Sequence, residues 1–241
     1  MAAAGIGLAG AGTDAPVAER ASAAEERTSG GSVANPLAPR GTAPREDDRE
    51  ELRRAIRLAQ SGTYIAEILH ARDSALARWP DRPGNPLRVW IQRSSRVQDW
   101  HPGFVREVAD AFAAWDTLHL PIRFQLVADS ADAKIHITWI DRFPEQISGR
   151  TRWARDSGYW ITDASITLAV HHRTGEILAD DAMHAMALHE IGHLLGLDHT
   201  RDPGSVMASK VRVRSLSRAD RATARLLYTL PAGPIGAGRR G

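Results

Sequence analysis

The chain has 241 residues, of which 43% are hydrophobic, and its formal net charge is only +2. This length fits one domain of ordinary size with extensions, and the hydrophobic share is enough to build a core. The absence of cysteine excludes disulfide frameworks and thiolate metal sites. The arginines are scattered, which argues against a nucleic-acid site, and no apolar run reaches the length of a membrane span.

Two segments precede the main domain. Residues 1–46 are mostly small, polar and charged, so we expect them to be disordered. They carry no convincing secretion signal, because their apolar stretch is short and lacks a basic flank. Across residues 47–84, apolar residues recur at helical spacing. This pattern predicts a helical extension, which either packs on the back of the domain, the reading we favour, or acts as a propeptide-like segment.

The main domain is predicted to span residues 85–230, and the Gly-rich tail, 231–241, is expected to be disordered. The first elements of the main domain are a strand over residues 87–91 and a helix whose apolar face runs from Phe104 to Trp115. Further strands are predicted over residues 122–127, 134–140 and 164–170. The order strand, helix, strand, strand favours an α/β (α+β) domain in which a helix packs against a mostly parallel sheet.

A stretch in the second half of the domain has the pattern of a catalytic metal site. It reads HEIGHLLGLDH from His189 to His199. On a helix, His189 and His193 lie one turn apart on the same face, where both imidazoles can reach one tetrahedral ion. Gly196 can adopt a left-handed conformation that ends the helix and lets His199 approach that ion. Three imidazoles leave one coordination position for water, and Glu190 lies where a general base for hydrolysis is needed.

Capping signals mark two helices in this part of the chain. Asp180 or Asp181 is predicted to cap the helix that carries the metal pattern, because a carboxylate there satisfies free amides and suits the helix dipole. Further on, Ser217 and Asp220 form a capping-box pattern that opens a final helix.

The pattern HExxHxxGxxH followed by a Met-containing turn resembles the metzincin clan of zinc endopeptidases. Its Asp-His-Thr ending is most similar to the matrixins, especially their compact bacterial relatives. The resemblance implies that His189, His193 and His199 bind one catalytic Zn²⁺ ion. It also implies that Glu190 is the general base and that Met207 forms a hydrophobic floor below the metal. The implied fold is a mixed, mostly parallel five-stranded sheet with an antiparallel edge strand, two long helices, and a small C-terminal subdomain with the Met-turn and final helix.

Residues 149–155 match in place the matrixin edge strand, which runs antiparallel to its neighbour and pairs with the substrate backbone. We therefore expect a substrate to dock along Arg150, Thr151, Arg152 and Trp153, since strand addition tolerates many sequences. Arginines here would also protect an exposed edge from aggregation, and both roles are compatible. By position, Asp220 matches an acidic residue that braces the Met-turn region in that family, although capping explains it as well.

The chain departs from the matrixin pattern in several places. The loop that carries a structural zinc ion and calcium in vertebrate-type matrixins corresponds here to residues 141–148, which are short and lack histidine. A second zinc ion is therefore not expected, and calcium bound by Asp156 and Asp163 has no loop pattern to support it. Latency through a propeptide cysteine is excluded. Ser209 stands where astacin-like and serralysin-like metzincins have a tyrosine, which favours the matrixin interpretation.

These features predict a zinc-dependent endopeptidase that hydrolyses peptide bonds with a zinc-activated water and Glu190 as general base. The alternatives are a metzincin of another family and an inactive zinc-bearing peptide-binding module. Glu190 argues against the inactive module, which would tend to lose its base. We expect protein or peptide substrates, no nucleic acid, no membrane span and a monomer. The resemblance implies a secreted protein, extracellular or in the cell envelope.

Overall fold

The structure is a computed structural model that describes residues 25–28, 54, 56 and 61–235. The strands are β1 (Glu25–Thr28), β2 (Ala75–Leu76), β3 (Leu87–Ile91), β4 (Phe124–Val127), β5 (Ile135–Ile140), β6 (Gly149–Arg155), β7 (Ile161–Ala169) and β8 (Gly233–Pro234). The α-helices are α1 (Ile65–Ala71), α2 (Gly103–Asp116), α3 (Asp180–Leu194) and α4 (Arg218–Thr229).

The central sheet is mixed and has the strand order β1-β6-β7-β5-β3-β4. β3 runs parallel to β4 and β5, and β5 runs parallel to β7. β6 pairs antiparallel with β7. In β5, buried Ile135, Ile137 and Trp139 alternate with half-buried residues, which is the period of a strand that buries one face more deeply. The predicted mostly parallel five-stranded sheet with an antiparallel strand is confirmed, and β1 adds a sixth strand beside β6.

α2 packs against α3, and α3 also contacts β6 and β7. α2 buries Phe104, Val108, Phe112 and Trp115 at helical spacing, as the sequence predicts. The indole Nε1 of Trp115 donates a hydrogen bond to the carbonyl of Leu188 in α3, with an N–O distance of 3.0 Å. α3 therefore packs against α2 on one side and against the sheet on another. Among the described helices, none has the length and apolar character needed to cross a bilayer.

The ends of α3 and α4 test the two capping predictions. The prediction that Asp180 or Asp181 caps α3 is wrong, because the N-cap residue is Ala179 and makes no side-chain hydrogen bond. Both aspartates instead lie in the first turn, where their charge still suits the helix dipole. The capping box of α4 is confirmed. Ser217 Oγ accepts from the Asp220 amide at 3.0 Å, and Asp220 Oδ2 accepts from the Ser217 amide at 2.7 Å.

The described part of the helical extension packs into the domain core. Ile65 and Ile68 of α1 are both 0% exposed. Trp79 is also buried, and its indole Nε1 donates to the carbonyl of Leu194, at the end of α3, over 2.9 Å. β2 pairs antiparallel with β8, which joins the extension to the end of the chain. These contacts make the extension part of the same core as the helix that carries the metal pattern.

The two segments predicted to be disordered, residues 1–46 and 231–241, lie mostly outside the described residues. Where they are described, each provides one short strand. β1 runs parallel to Arg152–Arg155 of β6, and β8 pairs with β2. Both strands are held by backbone pairing, which depends on the presence of a partner edge. The disorder expected from the composition of these segments stays a prediction.

Because α1 belongs to the core, Ile68→Ala should lower the free energy of unfolding by about 2–5 kcal/mol through lost burial and a cavity. Leu126→Ala is the matched control, since Leu126 is 49% exposed, and should cost less than about 1 kcal/mol. Chemical denaturation of both variants measures the difference. Equal stabilities would show that the extension is not part of the cooperative core.

Candidate functional site

Three histidines from α3 and the loop that follows it come together in the structure. His189 and His193 lie one turn apart on α3, and both are 0% exposed. After the chain reverses, His199 approaches them from the following loop. One nitrogen of each of the three lies within 4.8 Å of the others. The Nε2 atoms of His189 and His199 are 3.3 Å apart. This group could hold a metal ion.

The reversal depends on Gly196, as the sequence predicts for that position. Its φ of 98° lies in the left-handed region, which side chains disfavour. A Cβ on Gly196 would also overlap the backbone oxygen of Ala77 in the extension. The amide of Leu197 donates to the carbonyl of Gly192 at 3.0 Å and closes the helix end. The glycine therefore permits both the sharp turn and the close approach of the extension.

Two backbone carbonyls fix the orientation of the helical histidines. Nδ1 of His189 lies 2.6 Å from the carbonyl oxygen of Val206. Nδ1 of His193 lies 3.1 Å from the carbonyl oxygen of Leu197. A carbonyl oxygen only accepts, so each Nδ1 carries the hydrogen and each Nε2 keeps its lone pair. This is the tautomer that a metal requires when it binds through Nε2.

Burial favours the neutral state that binds metal for two of the imidazoles, those of His189 and His199. The pKa of His189 lies well below its ordinary value, first because of burial and then because of repulsion from His193 and His199. Burial likewise lowers the pKa of His199, and the nearby Asp198 carboxylate partly opposes this effect. Neutral imidazoles lose no proton on binding a metal, so the site is chemically prepared for one. The donor set fits zinc, which favours imidazole nitrogen in a tetrahedral arrangement.

Glu190 lies beside the histidines and is 0% exposed. The hydroxyl of Thr151, on β6, donates to Glu190 Oε2 at 2.6 Å and contacts the backbone oxygen of Glu190 at 2.9 Å. Oε1 has no hydrogen-bond partner among the described residues. A Cβ added at Gly149 would come within 2.5 Å of Oε1, so the strand leaves room for the carboxylate only because this residue is glycine. Burial raises the pKa of Glu190 to about 8, against the opposing hydrogen bond from Thr151.

The turn that contains Met207 lies directly behind the histidines. Met207 is 0% exposed, its sulfur packs against Gly192 of α3, and its carbonyl accepts from the Thr200 amide at 3.0 Å. The buried Asp220 carboxylate accepts from the Ser205 hydroxyl and, at 3.2 Å, from the amide of Val206. Asp220 therefore both caps α4 and braces the Met-turn, and it makes the contacts expected for each of these two predicted roles.

The four residues predicted to dock a substrate alternate along β6. Thr151 and Trp153 are buried, whereas Arg150 and Arg152 are half-buried on the other face. Arg150 forms a 3.0 Å ion pair with Glu145. The four predicted residues therefore do not share one role, because the buried Thr151 side chain hydrogen-bonds to Glu190 inside the domain. β1 pairs with β6 from Arg152 onward, so the first half of β6 lies outside the register of β1.

Several residues that shape the site were missed from the sequence. The carbonyls of Val206 and Leu197 orient the histidine ligands. Every residue type has a backbone carbonyl, so the amino-acid sequence does not indicate this role. The contact of Thr151 with Glu190 joins positions 39 residues apart. Its one sequence signal is a strand position that faces inward. Of the predicted calcium candidates, Asp156 accepts backbone amides of Gly158 and Trp160 in the turn after β6. Calcium was considered possible but has no sequence pattern to support it, and it is not predicted.

The geometry predicts one zinc ion per chain. His193→Ala should remove stoichiometric zinc, because two imidazoles cannot complete the site. His184→Ala is the matched control on the same helix, since Nδ1 of His184 contacts the Glu107 carbonyl at 3.1 Å. Elemental analysis after dialysis measures the zinc content of each protein. Full zinc content in His193→Ala would place the ion elsewhere.

Comparison with known proteins agrees with this arrangement. The family model for matrixin matches residues 97–229, more than half of the chain. The match includes the three histidines, Glu190, the Met-turn and α4. A search of the curated proteins finds no significant match. A domain of this family implies zinc metallopeptidase activity, and its sheet, helices and histidine group are those seen here. The chain belongs to the matrixin family.

Proposed function

We propose that this chain is a zinc-dependent endopeptidase with Glu190 as its general base. In this proposal His189, His193 and His199 hold a single zinc ion, and Met207 lies beneath it. The observation that carries the proposal is the buried carboxylate of Glu190 beside the three imidazoles, anchored at one oxygen and without a described partner at the other. A carboxylate with one fixed oxygen and one available oxygen is suited to proton transfer.

The residues of the chain divide the work of hydrolysis. Zinc held by three imidazoles would lower the pKa of a water ligand and polarise the scissile carbonyl. Glu190 Oε1 accepts a proton from the attacking water and then delivers it to the leaving amine. Thr151 holds Oε2, so the carboxylate keeps its orientation through both transfers. Burial raises the pKa of Glu190 in the metal-free protein, and the positive charge of a bound zinc ion would oppose this shift and favour the ionised base.

The proposed docking strand explains why the substrate would be cut internally. A peptide that adds to β6 binds through its backbone and needs no free chain end. The residues of β6 that lie beside Glu190 are Gly149 and Thr151. Backbone pairing along this part of the strand would therefore bring the peptide next to the proposed base. Arg150 and Arg152, on the other face, would contact substrate side chains. We further propose a monomer that acts outside the cytoplasm, in keeping with the family resemblance.

Glu190→Ala should abolish cleavage of a quenched peptide library while the protein keeps its zinc. Loss of a general base lowers kcat/KM by at least about 100-fold. Glu107→Gln is the matched control, because Glu107 contacts His184, which is not one of the three site histidines. A chain that lacks residues 1–46 is assayed in parallel, since β1 lies along β6. Zinc is counted in every protein.

The outcomes separate the enzyme from the inactive module. Cleavage that depends on Glu190, with equal zinc in both proteins, supports the proposed mechanism. Absence of cleavage by zinc-loaded protein, both as the whole chain and without residues 1–46, would contradict it and favour a peptide-binding module. Equal cleavage by Glu190→Ala would assign the base to another residue.

A further inference from the structure

The loop that carries His199 is bracketed by two side chains of the extension, Glu67 and Arg72. Both residues precede the part of the chain that matches the family model, which begins at residue 97. Glu67 lies within α1 and Arg72 is its C-cap residue. α1 buries its apolar face in the core, so its position relative to the domain is fixed by packing. We propose that Glu67 and Arg72 are positioning residues for the metal ligands.

Glu67 holds the loop on the C-terminal side of His199. Its Oε1 accepts from the hydroxyl of Thr200 at 3.0 Å, and its Oε2 accepts from the amide of Arg201 at 2.9 Å. Both oxygens are therefore used on the two residues that follow the ligand. The Thr200 amide meanwhile donates to the carbonyl of Met207. The chain after His199 is fixed between α1 on one side and the Met-turn on the other.

Arg72 holds the loop on the N-terminal side of His199. Its Nε forms a 3.0 Å ion pair with Asp198 Oδ2, and the two side chains are only 13% and 16% exposed. The other oxygen of Asp198 accepts from the amide of His199 at 2.7 Å. A largely buried pair of this kind holds a more defined geometry than a surface pair, because screening by water is reduced. Arg72 thereby reaches the ligand backbone through one intervening carboxylate.

Arg72 also reaches the ligand on α3. Its Nη2 lies 3.4 Å from the carbonyl oxygen of Leu197, which is the same oxygen that accepts from Nδ1 of His193. The guanidinium in turn lies 5.2 Å from the ring centroid of Trp153 on β6. One arginine thus links the docking strand, the carbonyl that orients His193 and the loop that presents His199.

The inference rests on the zinc site of the proposed function but not on peptide cleavage. A ligand on a loop binds metal weakly when the loop samples other positions, because ordering it costs free energy on binding. Contacts that orient ligands contribute roughly 10–100-fold to metal affinity in other sites. The extension therefore sets how tightly the protein holds zinc, and how well His199 stays in place.

The test measures zinc affinity of the full chain by competition with a chelating dye, without any peptide substrate. Glu67→Ala and Arg72→Ala should each weaken zinc binding by about 10-fold or more. Glu67→Gln keeps one acceptor and Arg72→Lys keeps a cation for Asp198, so both should fall between wild type and alanine. Arg82→Ala is the control, since the Arg82 side chain is half-buried and its Nε donates to the carbonyl of the nearby Asn85 at 3.1 Å.

The melting temperature of each metal-free variant is recorded, and affinities are compared at a temperature where all are folded. A graded loss of zinc affinity in the Glu67 and Arg72 series, with Arg82→Ala unchanged, supports the positioning role. Affinities within twofold of wild type for the folded alanine variants would overturn it. A general loss of folding is distinguished by Glu67→Gln and Arg72→Lys, whose zinc affinities must also fall for the inference to stand. Because no peptide is cleaved in this assay, its result is independent of the proposed peptidase activity.

Discussion

The structure of the site depends on two hydrogen bonds from imidazole nitrogens to backbone carbonyls. His189 points its Nδ1 at Val206, and His193 points its Nδ1 at Leu197. Each bond selects the tautomer that leaves Nε2 as a metal ligand. The carbonyls stay in place only if the turns that carry them are rigid. Much of the surrounding structure serves that requirement, because Asp220 fixes the Met-turn through the Val206 amide.

Three parts of the chain that are distant in sequence converge on this one constraint. The Met-turn holds the first histidine, the turn at Gly196 holds the second, and the extension holds the loop of the third. Gly196 links the last two, since only a residue without a side chain lets the Ala77 backbone approach the turn. The extension therefore contacts the site directly, although it lies before the residues that match the family model. Its Ile68 and Trp79 side chains are buried, so the extension and the helix that carries the site share one hydrophobic core.

The sequence predicted the parts of this protein that follow from local spacing. The i, i+4 histidines, the left-handed glycine and the capping box at Ser217 each depend on a few adjacent residues, and their geometry is the expected one. The strand pattern predicted the observed bounds of β3, and the resemblance to the matrixin edge strand predicted those of β6. The capping prediction for α3 failed because the helix begins at Asp180, so Ala179 is the N-cap residue and both aspartates fall in the first turn. The pairing of β1 with β6 joins residues more than 100 positions apart, which local spacing does not indicate.

The proposed zinc centre has three histidine ligands, two of them oriented by backbone carbonyls, and one open coordination position. X-ray absorption spectroscopy of the zinc-loaded protein tests it most directly, because it counts ligands around the ion. We expect three imidazole nitrogens at about 2.0–2.1 Å and one further oxygen that no side chain supplies. Four protein ligands would describe a closed structural site. Fewer than three imidazoles would show that the histidine group does not bind the ion, and either result would rule out a catalytic centre built on these three histidines.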